Sequence, residues 1–515
     1  MEHGSETYFV LGEGLLGESL GGRELTLAKT TEAATAPFRF SRMGPKGGGK
    51  QLSEAIRKKL ADAMAAGGGG TTGLPAGFTY LGQFADHDLT FDKTNVMLGD
   101  HVAPTQLLQA RSPSLDLDSL YGAGPADPGS QKFYEADGIH LKMGKTVAAD
   151  GIPAKDGFDL PRGAGSTVAA KRKAVIPDPR NDENLAVAQT HLAFIRFHNR
   201  VVDTLPNSVP LGARFDEARK LVTLHYQWML RTDFLPRISE GSVVTDVFTN
   251  GRKAFEVGAT PTDVPTMPIE FSIGTYRLGH SMIRGAYNWN KIFDNGAGSL
   301  GLLFTFSATS GDLGGFPRLI STWIADFRRL YDFGAGGHPA LAVPAAKFNE
   351  AMRIDTRISN PLQHLPGFKG EDANLAFRNL TRANMVRLAT GQQMATFLKN
   401  KGVAITKLTK AQLRDGAGGT TLDGLTQTQR ERALADTPLW FYILRESELN
   451  GGKLTGVGAR IVAETFQRAM EGSEHSIVQD TTWRPSLGPN SSTFRMTDLL
   501  FFAFEGKKSL LAPLG

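Results

Sequence analysis

Cysteine is absent from all 515 residues. That absence removes disulfides, thiolate metal sites and thiol nucleophiles, so stability must come from packing or from a bound cofactor. Long apolar runs are missing too. No stretch reaches the ~20 residues that a membrane-spanning helix needs, and the opening Met1 to Glu6 is acidic and polar, with no basic or apolar leader region. The expectation is a soluble protein, cytoplasmic or exported without a cleaved signal peptide. Charge of one sign is scarce: a formal net charge of +5 with 21% charged residues describes an ordinary surface with a mild basic tilt. The basic cluster Lys171-Arg172-Lys173 has no interleaved aromatics, reads as a solvated loop and argues against a nucleic-acid partner. Strand-like alternation, internal repeats and heptads are lacking as well.

What is present is helical texture interrupted by loops. Two glycine clusters, Gly47 to Gly49 and Gly67 to Gly70, flank an amphipathic segment from Leu52 to Ala66 and read as flexible joints around one helix. Residues 99–178 are rich in Gly, Pro, Asp and Ser and are expected to form long loops, which are usually functional or disordered. Helical periodicity then runs over Leu185 to Leu205, Asp216 to Leu235, Leu319 to Tyr331, Leu375 to Leu388 and Val457 to Met470. Length alone suggests about three domains, but no linker divides two cores. The reading is a mainly α protein: an N-terminal arm over residues 1–74, one large helical domain with long irregular loops and little β over 75–505, and a tail over 506–515. The tail is expected to be packed or frayed, with a docking peptide as the alternative.

Chemistry concentrates first at residues 82–88, Gly-Gln-Phe-Ala-Asp-His-Asp. On a helix Gln83, Asp86 and His87 share one face, while Asp88 is rotated away. That face can present an amide, a carboxylate and an imidazole base to a flat cofactor, leaving Asp88 as a hard oxygen ligand at the side. A solvated helix carrying the same residues for solubility is the plainer alternative. Further on, Ser112, Ser114, Asp116 and Asp118 place oxygens at every second position, as suits a cation that takes about six to eight oxygen ligands. The loop lacks the glycine and terminal glutamate of an EF-hand, and a surface loop would show the same spacing.

Arg180 and Glu183 sit just before a long helix, where acidic residues also serve as capping. A fixed guanidinium beside a histidine suits heterolysis of a peroxide O–O bond: the imidazole takes a proton from the near oxygen and the cation stabilises charge on the departing one. Arg277 and His280 lie one turn apart. There a neutral imidazole can ligate iron while Arg277 reaches a haem propionate, although a buried structural histidine has the same signature. The Arg378-Asn379-Leu380-Thr381-Arg382 run offers Asn379 as a partner that fixes the tautomer of His280.

Taken in this order, the residues resemble the animal-type haem peroxidases of the peroxidase-cyclooxygenase superfamily. The resemblance runs from about residue 75 to about residue 505. Besides the motifs above it includes Asp118 to Gly122, His198-Asn199-Arg200, Asp233 to Pro236 and Gly456 to Glu464. It implies His87 and Arg180 as the distal catalytic pair, Gln83 as the amide holding water or a halide, and His280 as the iron ligand backed by Asn379. It also implies haem held by ester bonds to Asp86 and Glu183 with Arg277 and Arg382 at the cofactor, and Ca2+ held by Asp88, Ser112, Ser114, Asp116 and Asp118. The family more often has threonine first and serine last in that loop.

The activity implied is reduction of hydrogen peroxide, with a part in the response to oxidative stress. An oxoferryl intermediate then oxidises a halide, thiocyanate or small aromatic donor. Asn184 stands where myeloperoxidase-like members carry a methionine bonded to haem, so that third linkage is not expected. Three other readings remain. A fatty-acid dioxygenase needs a tyrosine three residues before the iron ligand, where this chain has Arg277; Tyr276 is one residue off and is expected to point about a quarter turn away. Gly44 to Gln51 matches a phosphate-binding loop except for its last residue. A non-catalytic haem protein completes the set.

Overall fold

Apolar residues recurring every three to four positions become helices, and these carry the fold. The computed structural model describes residues 38–48, 51–94 and 98–515; the opening Met1 to Glu6, together with Gly49 and Lys50, lies outside the described residues. The long helices are α1 (Glu54–Met64), α2 (Gly77–Leu89), α3 (Leu185–Thr204), α4 (Arg214–Met229), α5 (Leu375–Met385), α6 (Gly391–Asn400), α7 (Leu439–Leu449), α8 (Gly456–Glu471) and α9 (Met496–Ala503). Among the described residues, β structure is limited to two-stranded ribbons, such as Thr71–Pro75 against Glu350–Met352. The mainly α expectation is therefore met.

One contiguous apolar core links these helices. Helix α1 buries Ile56, Leu60, Ala61 and Met64 and packs on α5. Helix α3 lies against α2, α4 and α9. Phe84 of α2 stacks on Phe194 of α3 at 4.4 Å, and Tyr226 of α4 meets both rings edge-on, a geometry that adds about 0.5–1.5 kcal/mol per pair beyond area burial. At the C-terminal end Leu511 and Ala512 are buried, so the described tail packs onto the domain.

Helix α2 is buried on almost all sides, with only Gly82 and Gln83 half-exposed. No side-chain cap opens it. Instead, Ala76 N–H donates to the Asn349 carbonyl, Gly77 N–H donates to the Leu330 carbonyl at 2.8 Å, and the Tyr331 hydroxyl donates to the Gly77 carbonyl at 2.8 Å. At the other end Thr90 turns extended and returns its N–H to the Asp86 carbonyl.

Three expectations change. Residues 319–331 are not a helix but two short 3-10 turns, Ser321–Trp323 and Phe327–Arg329. Their backbone groups are claimed from outside the segment: Asn290 Nδ2 donates to the Thr322 and Ile324 carbonyls, the Trp289 indole to the Trp323 carbonyl, and Leu319 and Ser321 exchange bonds with Val147. The segment starting near Asp216 does not end at Leu235. It widens into a π turn, Leu230–Phe234, and continues as Leu235–Ile238 around Pro236, whose missing N–H breaks the regular ladder. Residues 171 and 172 of the basic cluster close a short exposed helix, Val168–Arg172, rather than a loop.

Gly77 decides where α2 starts. A Cβ at this position would run into the Tyr331 ring. Gly77→Ala is expected to lower stability by about 1–3 kcal/mol through overpacking, read as a lower urea midpoint. Tyr331→Phe, which removes only the hydroxyl, should cost about 1 kcal/mol.

Candidate functional site

Helix α2 faces the segment Thr275–Met282, a run of 3-10 turns, across a cavity with about 480 Å3 of space not filled by atoms. Gln83 and Asp86 lie on one wall, and Arg277 and His280 on the other, with Tyr276 beside them.

His87, one residue beyond Asp86, is completely buried. Its Nδ1 lies 2.9 Å from Oδ1 of Asn181, an atom that can only accept, so the ring proton sits on Nδ1 and Nε2 keeps its lone pair. Nε2 has no hydrogen-bond partner, and Glu183 Oε1 stands 3.7 Å away. Gln83 Nε2 donates to the same Glu183 oxygen, which links the cavity wall to the histidine. Burial, reinforced by the Arg180 cation, pushes the imidazole down to about 3, so at neutral pH His87 is an uncharged base. Asp86 moves the other way, up to about 6, because burial outweighs the guanidinium groups of Arg277, Arg180 and Arg382.

Arg180 is fixed from several directions. Its Nε and Nη2 bond the two oxygens of Asp178 at 3.0 and 2.7 Å, Nη2 also donates to the His87 carbonyl at 2.9 Å, and the guanidinium lies 4.3 Å from the centre of the Phe91 ring. Arg111 Nη2 meets the same carboxylate at 2.5 Å. Despite burial, these two cations hold Asp178 well below the usual carboxylate range. The Nη1 atom of Arg180 is buried without a hydrogen-bond partner.

On the opposite wall, Nδ2 of Asn379 on α5 lies 2.7 Å from Nδ1 of His280 and donates to it. Turning the amide over by 180° would bring its oxygen to Nδ1, place the ring proton there and free Nε2. Arg277 is anchored by Nε to the Ser272 carbonyl, and Arg382 bonds Asp92 at 3.1 Å.

The predicted cation loop folds around Asp88. The Leu117 and Ser119 amides and the Ser119 hydroxyl donate to its carboxylate at 3.2–3.3 Å. Ser114 Oγ donates instead to the Gly472 carbonyl, and Asp116 accepts from the Glu474 amide. Burial, with the charge of Asp118 added, raises Asp88 to about 8 and Asp116 to about 7; burial raises Asp118 as well. Among the described residues no group of three or more His, Cys, Asp or Glu side chains is arranged to hold a metal ion.

The phosphate-loop reading fails. The Met43 and Gly44 amides donate to the Glu270 carboxylate, and the Gly47 amide donates to the Arg387 carbonyl, so they are not turned toward an anion. Sequence reasoning also missed several residues. Asp178 and Asn181, which hold Arg180 and His87, looked like a capping stretch. Asn181 Nδ2 further bonds His191, and Asn184, noted only for not being methionine, caps α3 and donates to Gln83 Oε1 at 3.0 Å. Tyr276, expected to point away, lines the cavity with its hydroxyl buried and without a hydrogen-bond partner.

Residues 83–302 match the family model for animal haem peroxidases. A peroxidase-like protein from Margaritifera margaritifera is 30% identical over 115 residues, which is 22% of this chain and 14% of that protein. Peroxidase A from Dictyostelium discoideum has a similar structure, with a TM-score of 0.59 at 15% identity over 92% of this chain and 94% of that one. The fatty acid alpha-dioxygenases of Arabidopsis thaliana and Oryza sativa also share the fold. Their TM-scores are 0.55 and 0.52 at 12% and 11% identity; each comparison spans 91% of this chain and, respectively, 77% and 80% of the other. No described helix is long and apolar enough to cross a membrane. The matched region opens at Gln83 and closes beyond His280, and the fold of peroxidase A and the alpha-dioxygenases is shared along most of the chain.

Proposed function

We propose that the cavity between α2 and Thr275–Met282 holds haem, with His280 as its iron ligand, and that the protein reduces hydrogen peroxide at the expense of small donors. The observation that carries this reading is the buried imidazole of His87: Asn181 Oδ1 accepts a hydrogen bond from its Nδ1–H, and Nε2 is left without a hydrogen-bond partner among the described residues. A buried polar atom left unsatisfied costs about 1–3 kcal/mol, a penalty that a polar ligand beside it removes. The residues present suit the group. Asp86 and Glu183 are buried carboxylates suited to ester bonds with it, and Arg277 and Arg382 are cations suited to its propionates. Asn379 orients the ligating ring. Bound haem supplies the redox chemistry of O–O cleavage and of electron withdrawal from the donor.

The chain's own residues handle protons and charge. His87 Nε2 accepts the proton of the near peroxide oxygen and returns it to the departing one. Arg180, held by Asp178, keeps a fixed positive charge beside His87, and its Nη1 has no hydrogen-bond partner among the described residues. Gln83, half-exposed at the wall, can hold a water or a halide. Halide, thiocyanate and small aromatic molecules are the donor classes proposed. The three carboxylates of Asp88, Asp116 and Asp118, with Ser112 and Ser114, are proposed as a Ca2+ site; the support is the loop folding around Asp88, the residue next to His87.

A fatty-acid dioxygenase is the second reading, favoured by Tyr276, whose unpartnered hydroxyl lines the cavity, and by the fold shared with the plant enzymes. In stopped-flow mixing with hydrogen peroxide, His87→Ala is expected to react about 100 to 10,000 times more slowly than the parent holoenzyme. An unchanged rate overturns the assignment of His87. Oxygen uptake with a long-chain fatty acid in the absence of peroxide would favour the dioxygenase. Pigment should stay with the polypeptide through acidic organic extraction, and an Asp86→Asn, Glu183→Gln double variant should release it; complete release from the parent protein refutes the ester bonds. Chelation with EGTA should lower the thermal midpoint and slow the peroxide reaction, both restored by added Ca2+.

A further inference from the structure

A second cavity opens on the surface away from the haem-site walls. It is formed by the ribbon Gly144–Lys145 with Asp156–Asp159, the turn from Arg162 to Gly165, and Pro317 with Arg318. It contains about 1600 Å3 of space, part of it open to solvent. Besides Arg162, four cationic side chains line it, Lys142, Lys145, Lys171 and Arg318, against two carboxylates, Glu135 and Asp156. Lys145, Lys171 and Arg318 are exposed, and none of the three side chains makes a hydrogen bond or ion pair with a described residue. Arg162 forms the floor and is already neutralised behind the wall by Asp159 and Asp182. The excess positive charge therefore belongs to side chains without a partner among the described residues.

The lining is also apolar in part, through Met143, Pro161 and Pro317. Two large apolar side chains stand in solvent at its edge: Val168, on the same short helix as Lys171, is 53% exposed, and Phe316, next to Pro317, is 39% exposed. Arg172 Nε donates to the Phe316 carbonyl at 2.9 Å, which holds these two edges together. Free cations inside a concave surface with an apolar rim match an anion that carries a flat apolar body.

We propose that this cavity is a binding site for aromatic carboxylates or sulfonates, separate from the buried cavity. The proposal does not rest on the haem reading. It has a bearing on it, because Arg162 binds Asp182, which lies in the chain between Asn181 and Glu183, the residues that contact His87 and Gln83. An aromatic anion docked in this cavity is thus separated by one side chain, Arg162, from the turn that holds the base.

Fluorescence titration of the purified full chain with 8-anilinonaphthalene-1-sulfonate, displaced by 2-naphthoate, tests the site. Lys145→Glu with Arg318→Glu should weaken binding about ten-fold, as expected for reversing two partly screened surface charges. Lys399→Glu, an exposed reversal elsewhere, should leave it unchanged. The neutral analogue 2-naphthalenemethanol should compete poorly. Equal affinity in the double variant, equal competition by the neutral analogue, or the same loss in Lys399→Glu overturns the proposal. His87→Ala separates the two readings: it should bind the dye normally, and lost binding there would assign the dye to the buried cavity and overturn this site.

Discussion

The architecture of the site depends on burying a helix that carries Gln83, Asp86 and His87 on one face and Asp88 on another. A polar group removed from water must find a partner or lose several kilocalories per mole. Helix α2 has no solvent face on which to spread that cost. Its polar groups are met by the turn before α3, where Glu183 and Asn184 contact Gln83, Asn181 contacts His87, and Arg180 bonds the His87 carbonyl. Asp88, turned to the other side, is met by backbone amides of the loop at Leu117 and Ser119. One helix thereby orders two loops far apart in the chain.

Asp178 is the electrostatic centre of this arrangement. It carries one charge and faces two guanidinium groups, Arg111 and Arg180, both of which lie over the Phe91 ring. A buried ion pair gains little net stability, but removing one partner leaves a buried charge uncompensated, at a cost of about 3–5 kcal/mol. The value of the cluster is therefore positional. It fixes a guanidinium beside an imidazole that burial keeps neutral, and leaves one nitrogen on each without a hydrogen-bond partner. The walls of the neighbouring cavity are built more loosely, with Gln83 half-exposed and His280 on short 3-10 turns.

Much of this was legible before any coordinates. Helical periodicity located α1, α3, α5 and α8 within a few residues, and the run around His87 identified α2 as the helix bearing the chemistry. Other motifs within the resemblance prove to be structural: His198 bridges the Tyr121 hydroxyl and the Ile139 carbonyl, Asn199 pins both backbone groups of Leu141, and Glu464 receives the amides of Ala254 and Phe255. Periodicity misread residues 319–331, because apolar spacing reports which side chains are buried but not which backbone partners are nearer than the next helical turn. Asn290 and Trp289 supply those partners from outside the segment.

Local order alone determined which residues share a face of α2, since three- and four-residue offsets suffice for that. The absence of cysteine excluded thiol chemistry in the same direct way. Tertiary structure decided everything that depends on closure between distant segments: that Asn181 rather than water occupies Nδ1 of His87, that Arg111 reaches Asp178 beside Arg180, and that Tyr276 lines the cavity. The physical reason is that a hydrogen bond between residues nearly a hundred positions apart is specified by how the helices pack, and no spacing within one segment encodes that distance.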